Sequence, residues 1–422
     1  MAGWRDLLKV DRGISSLTPS TKSFLPYGRQ EIDEADIEAV ASVLRSDFLT
    51  TGPTVEAFEE QFAETVESRY AVACSNGTAA LHLAALALGL GDGDRVVVPS
   101  LTFIATANAA RFVGAEVVFA DIDPDTGQMG AEELGRALDS AAGRDARAIF
   151  PVCLTGSTAD QSALKQVAGD RLLAYDACHA LGTTYRSGNE LARVGDCRHS
   201  ELAAFSFHPV KTIALGEGGA VTTNDTALAD RLRRLRSHGM TRAPADFTNA
   251  ELAFDDSGEA NPWYYEMPEL GYNYRLTDIQ CALGLSQLSK LERFATQRRR
   301  LASRYRDLLA PLGPLVRLLE IPDGCDPVLH LFVVLIDFAK LGISRAQVMR
   351  ELRAAGIGTQ VHYIPVHLQP YYQGRYGAPE LPGAEEYYAR TLSLPFFTGM
   401  NEADIHRVVE TLSTVLNLQS EL

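Results

Sequence analysis

Apolar positions recur along this chain in two rhythms, and the alternation between them predicts the architecture. Behind the acidic start Asp33-Glu34, apolar residues fall at Ile37, Val40, Val43 and Leu44, the spacing of an amphipathic helix over 33–44. A second helix is expected over 55–66 and a third, rich in Ala and Leu, over 79–88. Between and after them stand short apolar runs at 70–73, 95–98, 116–119, 148–150, 172–175 and one beginning at Leu202. These read as strands, with helical crossovers expected over 103–112, 132–138 and 162–167. Short apolar strands joined by helices predict a mostly parallel sheet covered on both faces, an α/β class. Further on, 279–309 reads as one long helix, 329–336 as a strand, 344–354 as a helix, 359–363 as strand-like and 404–418 as a final helix. The expected division is a variable extension at 1–24, a large domain over 25–285 and a smaller α/β domain over 286–422. Residues 241–261, with scattered Pro, Asp and Asn, are expected to form a surface loop or lid.

Parallel sheets place their sites beyond the carboxyl ends of the strands, and that rule picks out candidates. Lys211 follows the run ending in Ser206 and precedes the turn Gly216-Glu217-Gly218-Gly219. A lysine there is either a solvated surface group or an amine of lowered pKa that condenses with a carbonyl. Ser75-Asn76-Gly77-Thr78 turns from a strand into a helix. It offers an anion site built from free N–H groups, the helix dipole and the Thr78 hydroxyl, or else simply a helix cap. Asp176, just past 172–175, either caps a helix or holds a protonated ring nitrogen. Phe103 is core or a stacking platform, and His179 is a satisfied core histidine or a cofactor neighbour.

Charge and composition narrow the class. The formal net charge is −15, with acidic residues dispersed along the chain, which disfavours a general nucleic-acid binder. The six cysteines form no CxxC pair and no metal-ligand spacing, so no metal is expected. No apolar run reaches membrane-spanning length, and the first residues lack a signal-peptide core; a soluble, cytoplasmic protein is expected. A dinucleotide fingerprint GxGxxG is absent where a nicotinamide enzyme would carry it.

A lysine amine, an anion-binding turn, a carboxylate and an aromatic platform are the parts of a pyridoxal 5'-phosphate site. The stretches Leu49-Thr50-Thr51-Gly52-Pro53, Asn76-Gly77-Thr78-Ala79-Ala80-Leu81, Thr102-Phe103, Asp121-Ile122-Asp123, Asp176-Ala177, Ser206-Phe207-His208-Pro209-Val210-Lys211, Gly216-Glu217-Gly218-Gly219, Leu235-Arg236-Ser237-His238-Gly239 and Gly271-Tyr272-Asn273-Tyr274-Arg275 together resemble the DegT/DnrJ/EryC1/StrS family of sugar aminotransferases. The resemblance runs over about 25–415 and implies the fold-type I aminotransferase architecture. It implies that Lys211 forms the Schiff base and transfers the proton, Asp176 meets the pyridine nitrogen, His179 lies near the 3-hydroxyl and Phe103 stacks on the ring. Gly77, Thr78, Ala79 and Ser206 would hold the phosphate, with Asn273 reaching it from a neighbouring subunit of a homodimer.

Within the family, Pro26-Tyr27-Gly28-Arg29-Gln30, Trp263-Tyr264-Tyr265-Glu266 and His362-Tyr363-Ile364-Pro365-Val366-His367 are similar to the branch that aminates UDP-linked 4-keto-6-deoxy-N-acetylhexosamine toward pseudaminic acid. That resemblance implies L-glutamate as donor, UDP-4-amino-4,6-dideoxy-N-acetyl-β-L-altrosamine as product, and Arg29, His362, Tyr363 and His367 as substrate contacts. The chain departs from the branch at 152–160 and at 212–215, segments that border the expected sugar pocket. Other nucleotide 4-keto sugars, UDP- or dTDP-linked, and a noncatalytic regulator on the same fold are the alternatives; an intact Lys211 and Asp176 favour the enzyme.

Overall fold

The computed structural model describes residues 24–418, so the extension expected at 1–24 falls almost wholly outside the described residues. The strands of the large sheet are β1 (Tyr70–Cys74), β2 (Arg95–Pro99), β3 (Glu116–Ala120), β4 (Ala148–Ile149), β5 (Leu172–Asp176), β6 (Leu202–Ser206) and β7 (Gly219–Thr223). Their spatial order is β1-β7-β6-β5-β4-β2-β3. From β6 through β3 every pairing is parallel, whereas β7 runs antiparallel to both β6 and β1. Side chains alternate across such a sheet. Ala71, Ala73, Ala203 and Phe205 accordingly enter one core with Phe58, Phe62 and Leu288. Val72, Cys74, Leu202 and Ala204 enter the other, against the helix Gly77–Ala87. The helix needs its run of small residues there, because Ala80, Ala84 and Ala85 are fully buried against the strands.

A three-stranded antiparallel sheet of Val316–Leu318, Phe332–Ile336 and Thr391–Leu394 forms the C-terminal part, packed by the helices Leu291–Leu309, Arg345–Ala354 and Glu402–Val415. Leu25 packs in this C-terminal core and pairs with Ile357, so the chain begins its described course there before entering the large sheet. A hairpin of Thr184–Ser187 and Glu190–Arg193, joined by Cys325–Asp326, makes a further small sheet that periodicity did not predict.

Two expected elements differ. The long helix over 279–309 is two, Asp278–Leu288 and Leu291–Leu309. The break falls at Ser289 and Lys290, while the change of core comes later, within the second helix: Leu288, Leu291 and Phe294 face the large core, Leu301 and Tyr305 the C-terminal one. At the break Lys290 turns aside to ion-pair with Asp33 and Asp36. The segment 359–363 is no strand: only Gln360 pairs, with Ser393. Beyond it His362 Nδ1 bonds the Ser393 hydroxyl at 2.8 Å and Tyr387 donates to the His362 carbonyl at 3.2 Å, which diverts the chain toward the large domain. In 241–261 the expected loop carries short helical turns at Pro244–Asp246 and Ala250–Ala253.

Candidate active site

The carboxyl ends of β1, β2, β5 and β6 open onto a cavity of about 870 Å³, closed on its other side by 360–363. Lys211, Asp176, His179, Phe103, Gly77, Thr78, Ala79, Ser206, His362 and Tyr363 all line it.

The anion turn is built as the sequence suggests, with one change. Asn76 caps the helix Gly77–Ala87, its side-chain oxygen taking the Ala79 N–H at 2.8 Å. Ala79's amide is thereby spent, which removes it from the phosphate donors expected there. The N–H groups of Gly77 and Thr78 have no partner among the described residues. They stand at the positive end of the helix beside the Ser206 hydroxyl, an arrangement suited to a phosphate. A Cβ on Gly77 would meet Ser206 Cβ at 2.7 Å and its Oγ at 3.1 Å, so only glycine lets the two elements close around this cradle.

Asp176 ends β5 and is 6% exposed. It caps no helix; Ala177 to Ala180 form a turn, and the Cys178 N–H donates to Oδ1 at 3.1 Å. Thr106 donates to Oδ2 at 2.6 Å. Because that hydroxyl gives its proton to the carboxylate, the 2.7 Å contact with Thr102 requires Thr102 to be the donor there. A buried carboxylate is normally paired with a cation. Among the described residues none forms a salt bridge with Asp176, which suits a protonated ring nitrogen as its partner.

Lys211 lies in the loop between β6 and β7, its backbone N–H bound to the His208 carbonyl at 2.8 Å. The amine has no hydrogen-bond or ion-pair partner among the described residues. Burial disfavours the ammonium and pulls its pKa below the ordinary lysine value, opposed by Cys178 and Asp176. Phe103 is 51% exposed at the N-cap of the helix Ile104–Phe112, which excludes the core reading. Its ring lies 5.8 Å from that of Tyr363.

His179 is buried and bonded at both nitrogens: Nδ1 takes the Thr155 N–H at 3.3 Å and Nε2 lies 3.2 Å from the Tyr363 hydroxyl. Burial keeps His179, His330 and His362 in the neutral form, with His362 pushed down to about 3.

Two expected substrate contacts fall elsewhere. His367 is 1% exposed, bonded through Nδ1 to Ser100, and does not line the cavity. Arg29 is exposed and also outside it. Asn273 is exposed beside its bridge to Ser237 and does not line the cavity of its own chain.

The cavity also gathers residues that periodicity did not single out: Tyr27, His82, Tyr274 and His330. His82 Nδ1 meets the Tyr274 hydroxyl at 3.2 Å, and Tyr274 lies within the same Gly271–Arg275 motif that carries Asn273. Thr106 was discoverable in principle, one helical turn after Phe103 and hence on the same face of its helix. His330 precedes a strand of the C-terminal sheet, and no spacing within the chain announces it.

The model of the DegT/DnrJ/EryC1/StrS aminotransferase family matches residues 30–413. The spore coat polysaccharide biosynthesis protein SpsC of Bacillus subtilis is 37% identical over 398 residues, 93% of this chain and 97% of SpsC. Among solved structures, Helicobacter pylori PseC, an aminotransferase of pseudoaminic acid biosynthesis, superposes with a TM-score of 0.82 at 27% identity, covering 94% of this chain and 100% of PseC. Spr1654 of Streptococcus pneumoniae, described as a candidate sugar aminotransferase and solved in its PLP form, does so with 0.81 at 27% identity, covering 93% and 99%. With the phosphate cradle, the unpaired Asp176 and the partnerless Lys211 amine in one cavity, the chain belongs to the DegT/DnrJ/EryC1/StrS family and is a pyridoxal phosphate-dependent aminotransferase.

Proposed function

We propose that the enzyme transfers an amino group from L-glutamate to the keto carbon of a nucleotide-linked 4-keto sugar. The observation that carries this is the Lys211 amine, without a protein partner, in the cavity that also holds Asp176 and the Gly77–Thr78 cradle. Bound pyridoxal phosphate supplies an electron sink that lets nitrogen pass between carbon skeletons. Gly77 and Thr78 N–H and the Ser206 hydroxyl would hold its phosphate, Asp176 would keep a proton on the ring nitrogen, Phe103 would stack on the ring and His179 would lie near its 3-hydroxyl. Lys211 acts as the base that moves a proton to and from the substrate carbon; its lowered pKa raises the fraction of free amine at neutral pH. His362 and Tyr363 face the sugar from the C-terminal part. Asn273, exposed on its own chain, completes the phosphate site of a partner subunit in a cytoplasmic homodimer.

Identity is higher to SpsC than to PseC, 37% against 27%, so the reading is set at the nucleotide-linked 4-keto sugar rather than at one pathway. The narrower reading is UDP-4-amino-4,6-dideoxy-N-acetyl-β-L-altrosamine as product, which rests on the resemblance of 26–30, 263–266 and 362–367 to that branch. Incubating UDP- and dTDP-linked 4-keto sugars with L-glutamate, and identifying products by mass and NMR, tests both. Amination of any of them supports the proposal, and of the dTDP set alone removes the narrower one. Failure on the whole panel overturns both. Lys211→Ala is expected to lower turnover by about a thousandfold or more, the scale of a lost acid–base group. It should also abolish the pyridoxyl mass increment that borohydride fixes on the Lys211 peptide.

A further inference from the structure

Thr155 holds a backbone conformation that threonine rarely adopts, with φ 60° and ψ −5°. A β-branched residue in this region is strained, and such strain persists only where surroundings over-determine it. They do so here. The Thr155 carbonyl accepts the His330 N–H at 2.7 Å, and the flanking Leu154 and Gly156 carbonyls accept Gln128 Nε2 at 3.1 Å and the Thr183 hydroxyl at 2.7 Å. Thr155 itself is 2% exposed. What the clamp fixes is the direction of one N–H, which points at His179 Nδ1 from 3.3 Å.

That contact decides a tautomer. Burial keeps His179 uncharged, so only one ring nitrogen carries hydrogen. Nδ1 faces a backbone donor and must accept, which leaves the hydrogen on Nε2. Nε2 lies 3.2 Å from the Tyr363 oxygen, so the imidazole donates and the phenol oxygen accepts. Burial also keeps the phenol protonated. Its own O–H then has no acceptor among the described residues and is available to the cavity that Tyr363 lines.

We infer that Thr155 and His179 form a one-way hydrogen-bond relay that sets Tyr363 as a donor to an acceptor oxygen of the keto sugar. Thr155 and His179 are positioning residues in this role, and Tyr363 touches the substrate. The inference rests on the aminotransferase reading for the identity of the acceptor, but the relay itself does not.

The test has two readouts. In full-length protein labelled with ¹⁵N in its histidine rings, long-range proton–nitrogen correlation should show His179 as the neutral Nε2–H form without substrate, its signals assigned by their loss in His179→Gln. An Nδ1–H form, or a charged ring at neutral pH, overturns the relay. In kinetics, Tyr363→Phe should raise KM for the keto sugar about tenfold, the worth of one hydrogen bond, and leave KM for L-glutamate unchanged. His179→Gln, whose amide nitrogen can stand in for Nε2, should keep the sugar KM within about threefold of the unaltered enzyme. An unchanged sugar KM in Tyr363→Phe, or an equal rise for both substrates, overturns the donor role. Protein silent toward every keto sugar sinks the keto-sugar reading and the substrate role with it, while the His179 spectrum still decides the relay.

Discussion

Gly77 has no side chain where Ser206 stands, and that vacancy is what brings a hydroxyl to the end of a helix. Gly77→Ala is therefore expected to weaken cofactor retention at least tenfold, since either Ser206 or the helix must retreat from a 2.7 Å contact. Absorbance titration of apoprotein with pyridoxal phosphate measures it, and unchanged affinity would remove the cradle from the argument. The three buried imidazoles make a second residue-scale prediction. In the unfolded chain histidine titrates near 6.5, whereas in the folded protein burial depresses all three, His362 to about 3. Below about 6.5 the unfolded state binds more protons, so folding stability falls as pH falls. For His362 this window reaches down to about 3. Each imidazole costs about 1.4 kcal/mol per pH unit, and urea midpoints at pH 7, 6 and 5 should decline accordingly. A flat profile would mean these rings are solvated. At this scale the sequence announced residues that follow strand ends, such as Lys211 and Asp176. It was silent on His330 and marked Thr155 only within the departing segment 152–160, because their positions depend on segments far apart in the chain meeting at one loop. His367 misled because a Pro-x-His pattern looks the same whether the ring faces a cavity or, as here, Ser100.

Between elements, the helix Glu34–Leu44 is fastened through Asp36 to the junction of the helices Asp278–Leu288 and Leu291–Leu309. That carboxylate is 1% exposed and meets Lys290 Nζ at 2.9 Å and Gln287 Nε2 at 2.8 Å. Removing one member of a buried pair strands the other. Asp36→Ala should cost about 3 kcal/mol, read as a lower urea midpoint with little change in turnover per folded molecule. The break between Asp278–Leu288 and Leu291–Leu309 belongs to the same junction. Apolar spacing continues through it, so periodicity alone reads one helix. What separates two is the turn at Ser289 and Lys290, where the lysine leaves the stripe to meet Asp33 and Asp36. The opposite error occurred at 359–363, where alternation predicts a strand but the partner edge offers Gln360 a single pairing with Ser393.

Over the whole molecule, the parallel sheet and its helical crossovers were legible because each strand is short, apolar and bounded by its own turn. The reversal of β7 was not, since direction leaves no mark on composition. Nor was the return of Leu25 to the C-terminal core, a contact with Ile357 across most of the chain. That reversal governs how the lysine is carried. Ser206 and Gly219 sit opposite one another in register, and Phe207 N–H closes onto the Gly218 carbonyl at 2.8 Å. The excursion bearing Lys211 thus leaves and rejoins adjacent rails of a single rigid frame, like a buckle fixed at both pins. Its length should be almost untouchable: one residue inserted between Lys211 and Gly216, where 212–215 are buried, is expected to abolish turnover, whereas the same insertion near Gly258, in the exposed stretch 255–259, should be tolerated.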